Sequence, residues 1–240
     1  MAQHMIQLNG AKITWLGHAT FKITSPQGKI ILIDPWTNGN PACPDELKRI
    51  EKVDLMFITH GHFDHIGDAV SIAAATNPTC IAIVELAGWL GSKGIQNTVG
   101  MNKGGTINVQ GIKFTMTHAI HSSGVEDNSY VGNACGYVIE LENGLKIYHA
   151  GDTCAFSDMQ IIGELHKPDV AMLPIGDYYT MGPREAAIAV RMLGINHVIP
   201  MHYGTFPILV GTPAELRDSL QALGLSDVEV VEMKPGQTIS

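Results

Sequence analysis

The chain has 240 residues, of which 45% are hydrophobic and 16% are charged, and its formal net charge is −8. This composition is typical of a globular protein with one large domain or two small ones, and it excludes a disordered chain. An acidic protein without a lysine- or arginine-rich run repels phosphate backbones, so no nucleic-acid partner is expected.

The cysteines and the N-terminus bear on where the protein works. None of Cys43, Cys80, Cys135 and Cys154 belongs to a C-x-x-C pair, and a chain of this size needs no disulfides. We therefore expect reduced thiols and a cytoplasmic protein. No signal peptide and no apolar run of membrane-spanning length is visible, which predicts no membrane insertion. Met5 is the expected natural start, with residues 1–4, including His4, as a cloning remnant.

Predicted elements follow one another without a linker-like segment. The first part of the chain has short β-branched segments that predict strands at 12–17, 20–24, 29–34, 53–59 and 79–84, with helices at 66–76 and 85–92. The glycine-rich stretch 100–111 is predicted to be a loop, and strands are expected at 112–119, 135–141 and 145–150. Asn143-Gly144 between the last two predicts a type I′ turn.

The last third of the sequence alternates helices with strands. Helices are predicted at 156–166, at 183–193 and from the capping box Thr212-Pro213-Ala214-Glu215, and strands at 169–175, 197–201 and 228–233. Hairpins therefore come first and helix–strand alternation later, in both halves of the chain. This order predicts one α/β (α+β) domain over 1–240, in which two mixed sheets pack face to face with helices outside.

The segment THGHFDH (59–65) is the strongest functional signal. His60 and His62 are two apart in extended chain, so their imidazoles point to one side, while Asp64 and His65 follow where a helix begins. Four such groups in six residues are costly to bury unpaired, and nitrogen and oxygen donors suit zinc, manganese or iron. The segment is therefore predicted to bind metal.

Further ligands are expected just after predicted strands. His121, Asp152 and His202 each follow a strand, where the chain can bring a side chain to the edge of a sheet. Seven ligands are enough for two cations that share one carboxylate. His118, three residues before His121, is the rival for its place, whereas His4, His166 and His197 are interpreted as ordinary surface or core residues.

Other residues are candidates for supporting the chemistry. His18 lies in a turn that can reach the site, as a positioning or substrate-binding group or as a structural residue. Asp34 and Asp177 end strands and can either accept the second N–H of a ligand imidazole or cap the turn that follows. Tyr203, next to His202, is preferred over Tyr178 and Tyr179 as a hydrogen-bond donor to an oxyanion, with a half-buried structural tyrosine as the plainer alternative. The segments 100–111 and 122–134 are candidate loops over the site.

The motif His60-Gly61-His62-Phe63-Asp64-His65 resembles the H-x-H-x-D-H signature of the metallo-β-lactamase superfamily, and His121, Gly151-Asp152-Thr153 and His202 follow in that superfamily's order. The resemblance covers nearly the whole chain. It implies a four-layer αββα sandwich with two metals at the rim between the sheets. His60, His62 and His121 would bind one metal, Asp64, His65 and His202 the other, and Asp152 would bridge them.

Several further segments resemble one branch of that superfamily. WLGHAT, ILIDPW, YHAGDT, PIGDYYTMGP and PMHYGTFP are similar to its uncharacterised metal-dependent hydrolases, relatives of ascorbate-6-phosphate lactonase and of N-acylphosphatidylethanolamine phospholipase D type enzymes. Two divalent cations, zinc first and manganese, nickel or iron as alternatives, are the expected cofactors.

A metal-dependent hydrolase is the predicted function. Two close cations can activate a shared water to attack an ester, lactone, amide or phosphodiester bond of a small molecule, and Asp64 can orient that water or accept its proton. The alternative is an iron-dependent oxidoreductase of the sulfur dioxygenase type on the same fold. A non-catalytic module is disfavoured because no ligand is missing. The hydrophobic fraction is compatible with a homo-oligomer.

Overall fold

The computed structural model describes residues 6–240, in which two seven-stranded sheets face each other. The expectations for residues 1–4 and His4 lie outside the described residues. The first sheet is built from β1 (Lys12–Trp15), β2 (Phe21–Thr24), β3 (Ile30–Ile33), β4 (Leu55–Phe57), β5 (Thr79–Ile83) and β6 (Thr98–Met101). The second contains β7 (Thr106–Val109), β8 (Ile112–His118), β9 (Cys135–Glu140), β10 (Lys146–His149), β11 (Val170–Pro174), β12 (His197–Met201) and β13 (Glu229–Val230). The last strand, β14 (Thr238–Ile239), returns to pair with β1.

Helices cover the outer faces of both sheets. They are α1 (Phe63–Ile66), α2 (Ala69–Thr76), α3 (Val84–Ser92), α4 (Met159–His166), α5 (Pro183–Leu193) and α6 (Pro213–Ala222). α3 packs on β5 and β6, and α5 packs on β11 between α4 and α6. No helix within residues 6–240 has the length and apolar character needed to cross a membrane. The predicted αββα sandwich is confirmed.

Both sheets are mixed, and this determines where the site lies. In the first sheet β3, β4, β5 and β6 run parallel, and in the second β10, β11, β12 and β13 do. β8 also runs in the direction of β10, because each pairs antiparallel with β9. The carboxyl ends of these strands therefore meet at one rim, where an open α/β sheet commonly holds its ligands.

The main core lies between the sheets. Phe57 of β4 and Phe114 of β8 approach to 3.9 Å between ring centroids, and Tyr137 lies 5.3 Å from Phe57. All three side chains are fully buried. A second apolar cluster joins the outer face of the second sheet to α4, α5 and α6. Burial of this kind, at about 25 cal/mol per Å² of apolar surface, is the main force holding the layers together.

The capping box that predicted α6 is present. The Glu215 N–H donates to Thr212 Oγ1 at 3.2 Å, and the Thr212 N–H donates to Glu215 Oε2 at 3.0 Å. Pro213 occupies the first helical position, where its missing N–H costs nothing. A cap of this kind is worth about 1 kcal/mol, and it sets the start of the helix as the sequence predicted.

Three local predictions differ from the structure. The stretch 100–111 does not form a loop over the site: Gly100 and Met101 end β6, Thr106–Val109 form β7, and Gly104 and Gly111 lie in the turns that flank β7. At Asn143-Gly144 only the glycine has a positive φ, and Leu141 pairs with Leu145 around a three-residue loop. That loop does not have the type I′ geometry. The predicted helix 66–76 corresponds to α2, which begins three residues later than predicted, after the N-cap Asp68, and ends at the predicted Thr76; the separate short helix α1 precedes it.

Candidate metal centre

The structure brings all seven predicted ligands to the rim. His60, His62, Asp64 and His65 follow β4 of the first sheet, whereas His121, Asp152 and His202 follow β8, β10 and β12 of the second. The site therefore spans both halves of the chain. All seven side chains come together only when the two sheets pack against each other.

One group of ligand atoms consists of three imidazole nitrogens. The ligating atoms of His60, His62 and His121 all lie within 4.8 Å of one another. His60 Nε2 is 3.0 Å from His62 Nδ1, and the ring of His121 lies 5.1 Å from each of the other two rings. The second nitrogen of His62 faces Ser122 Oγ at 3.3 Å, so its Nδ1 is the atom turned towards the group.

A second group combines a carboxylate with imidazoles. Asp64 Oδ2 lies 3.9 Å from His65 Nε2 and 3.8 Å from His202 Nε2, and His18 Nε2 is also within this group. Asp152 Oδ2 stands between the two groups. It is 3.0 Å from His202 Nε2, 3.3 Å from His65 Nε2, 3.6 Å from His121 Nε2 and 3.9 Å from His60 Nε2.

Buried polar atoms in the cluster support cation binding independently of the sequence motif. Within residues 6–240, Asp152 Oδ1 and His202 Nδ1 are buried without a hydrogen-bond partner, and His65 Nε2 and His202 Nε2 are close to Asp152 Oδ2 but without hydrogen-bond geometry. Each such atom costs about 1–3 kcal/mol. Ligand atoms around a tetrahedral ion with bonds of about 2.1 Å are separated by about 3.4 Å, close to the distances observed here. A cation would satisfy the buried atoms together.

Asp34 orients two of the imidazoles from behind. Its Oδ2 accepts from His65 Nδ1 and from Thr59 Oγ1, each at 2.8 Å, and its Oδ1 accepts from the Thr59 N–H at 2.8 Å. Because the Thr59 hydroxyl donates to Asp34, it must accept from His60 Nδ1, 3.0 Å away. Both His60 and His65 are thereby held in the tautomer whose Nε2 lone pair faces the cluster. The expectation that Asp34 serves a ligand imidazole agrees with this geometry.

The electrostatics keep the carboxylates ionised. Burial alone would raise the pKa of Asp64 and of Asp152, but the imidazoles around them lower both pKa values well below the usual range. In the opposite sense, burial would lower the pKa of His202, yet the charge of Asp152 raises it to about 9. Burial lowers the pKa of His18 to about 4, so this imidazole stays neutral at pH 7.

His18 belongs to a chain of hydrogen bonds that ends at Asp64. Its Nε2 is 2.9 Å from Asp64 Oδ2 and its Nδ1 is 3.0 Å from Thr205 Oγ1. An ionised Asp64 accepts from Nε2–H, so the Thr205 hydroxyl donates to Nδ1. The His18 carbonyl also accepts from Trp15 Nε1 and from the His202 N–H. His18 is fully buried and acts on the site through Asp64, without lining the cavity.

Three residues of the site have left-handed backbone conformations. The φ angles are +57° at His18, +48° at Asp34 and +56° at His202. Non-glycine residues adopt this region rarely and at a cost in free energy. Each of the three follows a strand and turns the chain sharply at the rim. The backbone there is shaped to present these side chains.

A cavity of about 600 Å³ opens beside the cluster and is bordered by Asp64 and Asp152. Tyr179 lines it, but Tyr203 does not: the Tyr203 ring stacks on Trp15 at 5.4 Å between centroids and packs into the core. Burial raises the pKa of Tyr203 to about 12. This geometry favours the half-buried structural role for Tyr203 over the role of oxyanion donor, because its side chain packs on Trp15 and does not line the cavity. Tyr179 is the tyrosine that can reach a substrate.

Several other histidines and acids lie away from the cluster. His118, on β8, lies 3.1 Å from Lys103 Nζ through its Nδ1, so His121 and not His118 joins the cluster. His149 is buried, and its two nitrogens face the Ala19 carbonyl and the Gly151 N–H. Asp177 accepts from the Tyr178 N–H and from no ligand imidazole that the structure describes. His166 and His197 also lie outside the cluster.

Sequence reasoning missed two parts of the site. Thr205 escaped notice because nothing in the order of residues shows that it meets His18, 187 positions away. The apolar wall formed by Phe63, Phe206 and Ile208 was also missed. One signal was available for it, since three apolar residues in a row, Ile208 to Val210, close the loop that follows His202.

Comparisons with known proteins agree with this geometry. The Beta-lactamase superfamily domain matches residues 29–203. A protein of Koribacter versatilis named UPF0173 metal-dependent hydrolase is 55% identical over 238 residues, which make up 98% of this chain and 100% of the relative. A metallo hydrolase structure from the archaeon Ignicoccus hospitalis matches with a TM-score of 0.83 and 40% identity, over 95% of this chain and 97% of that one.

A third similar structure is the isothiocyanate hydrolase from Delia radicum gut bacteria. It matches with a TM-score of 0.72 and 25% identity, over 95% of this chain and 98% of that one. The family predicted from the His60–His65 motif is confirmed. By the matched domain and by relatives of nearly equal length, this chain belongs to the metallo-β-lactamase superfamily, in its group of metal-dependent hydrolases.

Proposed function

We propose that the chain is a binuclear hydrolase of a small molecule, with zinc as its metal, that cleaves an ester, lactone, amide or phosphodiester bond. The position of Asp152 Oδ2 carries the proposal, because this one oxygen lies within 3.9 Å of imidazole nitrogens from both groups. A carboxylate so placed is suited to bridge two cations. The assignment of the first group to one metal and the second to another rests on the same distances.

The residues of the chain have separate tasks in this reaction. When bound, the metals would polarise the substrate oxygen and would lower the pKa of a water molecule so that it ionises near pH 7. Asp64, which lines the cavity, orients that water or accepts its proton, and His18 holds the Asp64 carboxylate in place. Tyr179 can donate a hydrogen bond to the substrate. Asp34 keeps His60 and His65 in the ligating tautomer.

Metal analysis of protein purified without added metal or chelator is the first test. About two equivalents of zinc, manganese or nickel per chain support the binuclear site. About one equivalent of iron, with oxygen consumption on thiol substrates, would replace the hydrolase by the iron-dependent oxidoreductase. The absence of any bound metal, even after reconstitution, would refute both.

Turnover is the second test, on a panel of lactones, thioesters and phosphodiesters. Asp64→Asn keeps the shape of the side chain but removes its charge, and should lower kcat by about 10²–10⁴, the usual range for a general base. Asp218→Asn makes the same change on the exposed surface of α6 and should leave kcat unchanged. Equal kcat values for the two variants would contradict the role of Asp64.

A further inference from the structure

We propose that the cavity selects a substrate with an uncharged aromatic or branched alkyl group next to the bond that is cleaved. The inference rests on the proposed hydrolase function and narrows its substrate class. It excludes substrates that carry a second charged group, such as a phosphate or carboxylate, on that side of the bond. The walls of the cavity carry the argument.

The apolar part of the cavity wall is open to solvent. Phe63 is 54% exposed, Tyr179 57% and Ile208 39%, and Phe206 lines the cavity beside them. Large apolar side chains grouped at a concave opening are typical of ligand sites, because water contact there is unfavourable until a ligand covers them. The same side chains would exclude water from the reacting bond once a ligand is bound.

The motif itself positions Phe63. α1 begins at Phe63 directly after His62, and its first turn directs Asp64 and His65 towards the cluster. Successive residues of a helix point about 100° apart, so the side chain before Asp64 faces the opening. The Phe63 ring packs edge-on against the Trp36 ring, with 5.8 Å between centroids, and this contact restricts the Phe63 side chain. Phe63 is therefore fixed beside the reacting centre.

The loop after β12 supplies the second part of the wall. It is closed by hydrogen bonds from the Leu209 N–H to the Phe206 carbonyl and from the Gly204 N–H to the Leu209 carbonyl. The Phe206 ring lies 6.0 Å from Trp36 and 5.8 Å from His18. Phe63 and Phe206 thus both rest on Trp36, and this shared support makes a preformed apolar surface.

Tyr179 reaches the cavity from a strained turn. Asp177 and Tyr178 both have left-handed backbones, with φ of +65° and +59°. The turn is held by hydrogen bonds from the Asp177 N–H to the Met181 carbonyl and from the Tyr178 N–H to Asp177 Oδ1. Two adjacent residues in this region are costly, and such strain is concentrated at functional sites. The turn offers one phenol at the edge of the wall.

Among the residues described, 6–240, the cavity offers no lysine or arginine side chain to a second anionic group. The groove on the other side of Phe63 holds Lys93, but its ammonium group lies over the ring of Trp89, and Glu126 and Asp127 line the same groove. With a net charge of −8, the protein would repel such an anion at longer range.

Binding of three hydroxamic acids to the metal-loaded protein tests this inference without turnover. Acetohydroxamate, phenylacetohydroxamate and succinic monohydroxamate share a metal-chelating head and differ in a methyl, a phenyl and a carboxylate tail. Isothermal titration should give a Kd at least about tenfold lower for the phenyl tail than for the methyl tail, the usual discrimination by an apolar pocket. The carboxylate tail should bind no tighter than the methyl tail.

Matched variants connect the preference to the wall. Phe63→Ala and Ile208→Ala should each reduce the phenyl preference severalfold, while Leu165→Ala, which truncates a 71% exposed side chain on α4, should leave it intact. Equal Kd values for the three tails, or tightest binding of the carboxylate, would overturn the inference and leave the hydrolase proposal standing. Failure of all three to bind would overturn both.

Discussion

Replacing Asp34 by asparagine tests the reasoning behind the metal centre most directly. The change keeps the shape of the side chain but substitutes an N–H₂ group for one oxygen. The oxygen that accepts from the Thr59 N–H can be retained, so the amide would face His65 Nδ1 and Thr59 Oγ1. His65 Nδ1 could then only accept a hydrogen bond from this amide, so the proton of the imidazole would move to Nε2.

The expected loss follows from the number of imidazoles affected. A proton on His65 Nε2 blocks the atom that faces the cluster, and a reversed Thr59 hydroxyl would do the same to His60. Loss of such a partner typically lowers metal affinity 10–100-fold, and because two ligands depend on Asp34 we expect about 100-fold. That corresponds to about 2.7 kcal/mol of binding free energy.

Competition with a fluorescent zinc chelator measures the affinity, and long-range ¹H–¹⁵N correlation spectra report the tautomers of the imidazoles. The control is Asp54→Asn, the same chemical change at the opposite end of the neighbouring strand β4, where Asp54 Oδ2 accepts from the Ile30 N–H at 2.7 Å. The control should keep its metal affinity. A folded Asp34→Asn protein whose affinity lies within threefold of the unmodified protein would refute the account of the tautomers.

Three further outcomes are expected. Thr205→Val removes the hydroxyl that faces His18 Nδ1 and should lower kcat severalfold at unchanged metal content; an unchanged kcat would separate Thr205 from the site. Gly176→Ala should lower the free energy of unfolding in urea by more than about 4 kcal/mol, because a Cβ there would lie 2.0 Å from the His202 carbonyl oxygen. Gly88→Ala, in open space within α3, should raise it by about 1 kcal/mol. Because the pKa of His202 is raised from 6.5 to about 9, its protonation stabilises the metal-free protein fully below pH 6.5, and this contribution is lost as the pH rises to 9. Calorimetry should show Tm falling across that window without metal and staying flat with metal bound.

Local sequence patterns were sufficient to predict most elements. α5 has the predicted bounds, 183–193, and β12 the predicted 197–201, because Pro183 and Gly194 mark the ends of the helix and a continuous apolar run marks the strand. The four potential ligands in residues 60–65 also reveal metal chemistry by themselves. Their spacing brings them together through a single turn, so no distant contact is needed to recognise them.

Only the tertiary structure decided which distant residues complete the site. His118 and His121 are both near the end of β8, and only the packed sheets show that His121 joins the cluster. Sequence position favours Tyr203 over Tyr179, yet the turn after His202 packs the Tyr203 ring against Trp15 while a strained turn presents Tyr179 to the cavity. Side-chain direction at such turns depends on left-handed backbone conformations that the whole fold enforces.

The hydrogen bonds that orient the ligand imidazoles and Asp64 show most clearly what only the tertiary structure decides. Asp34 and His65 are 31 residues apart, and Thr205 and His18 are 187 apart. Each pair meets because parallel strands bring their carboxyl ends to the same rim, and strand order in a sheet is determined by packing over the whole chain. The residue types that bind metal could therefore be read from the sequence, whereas the partners that orient them came from the fold.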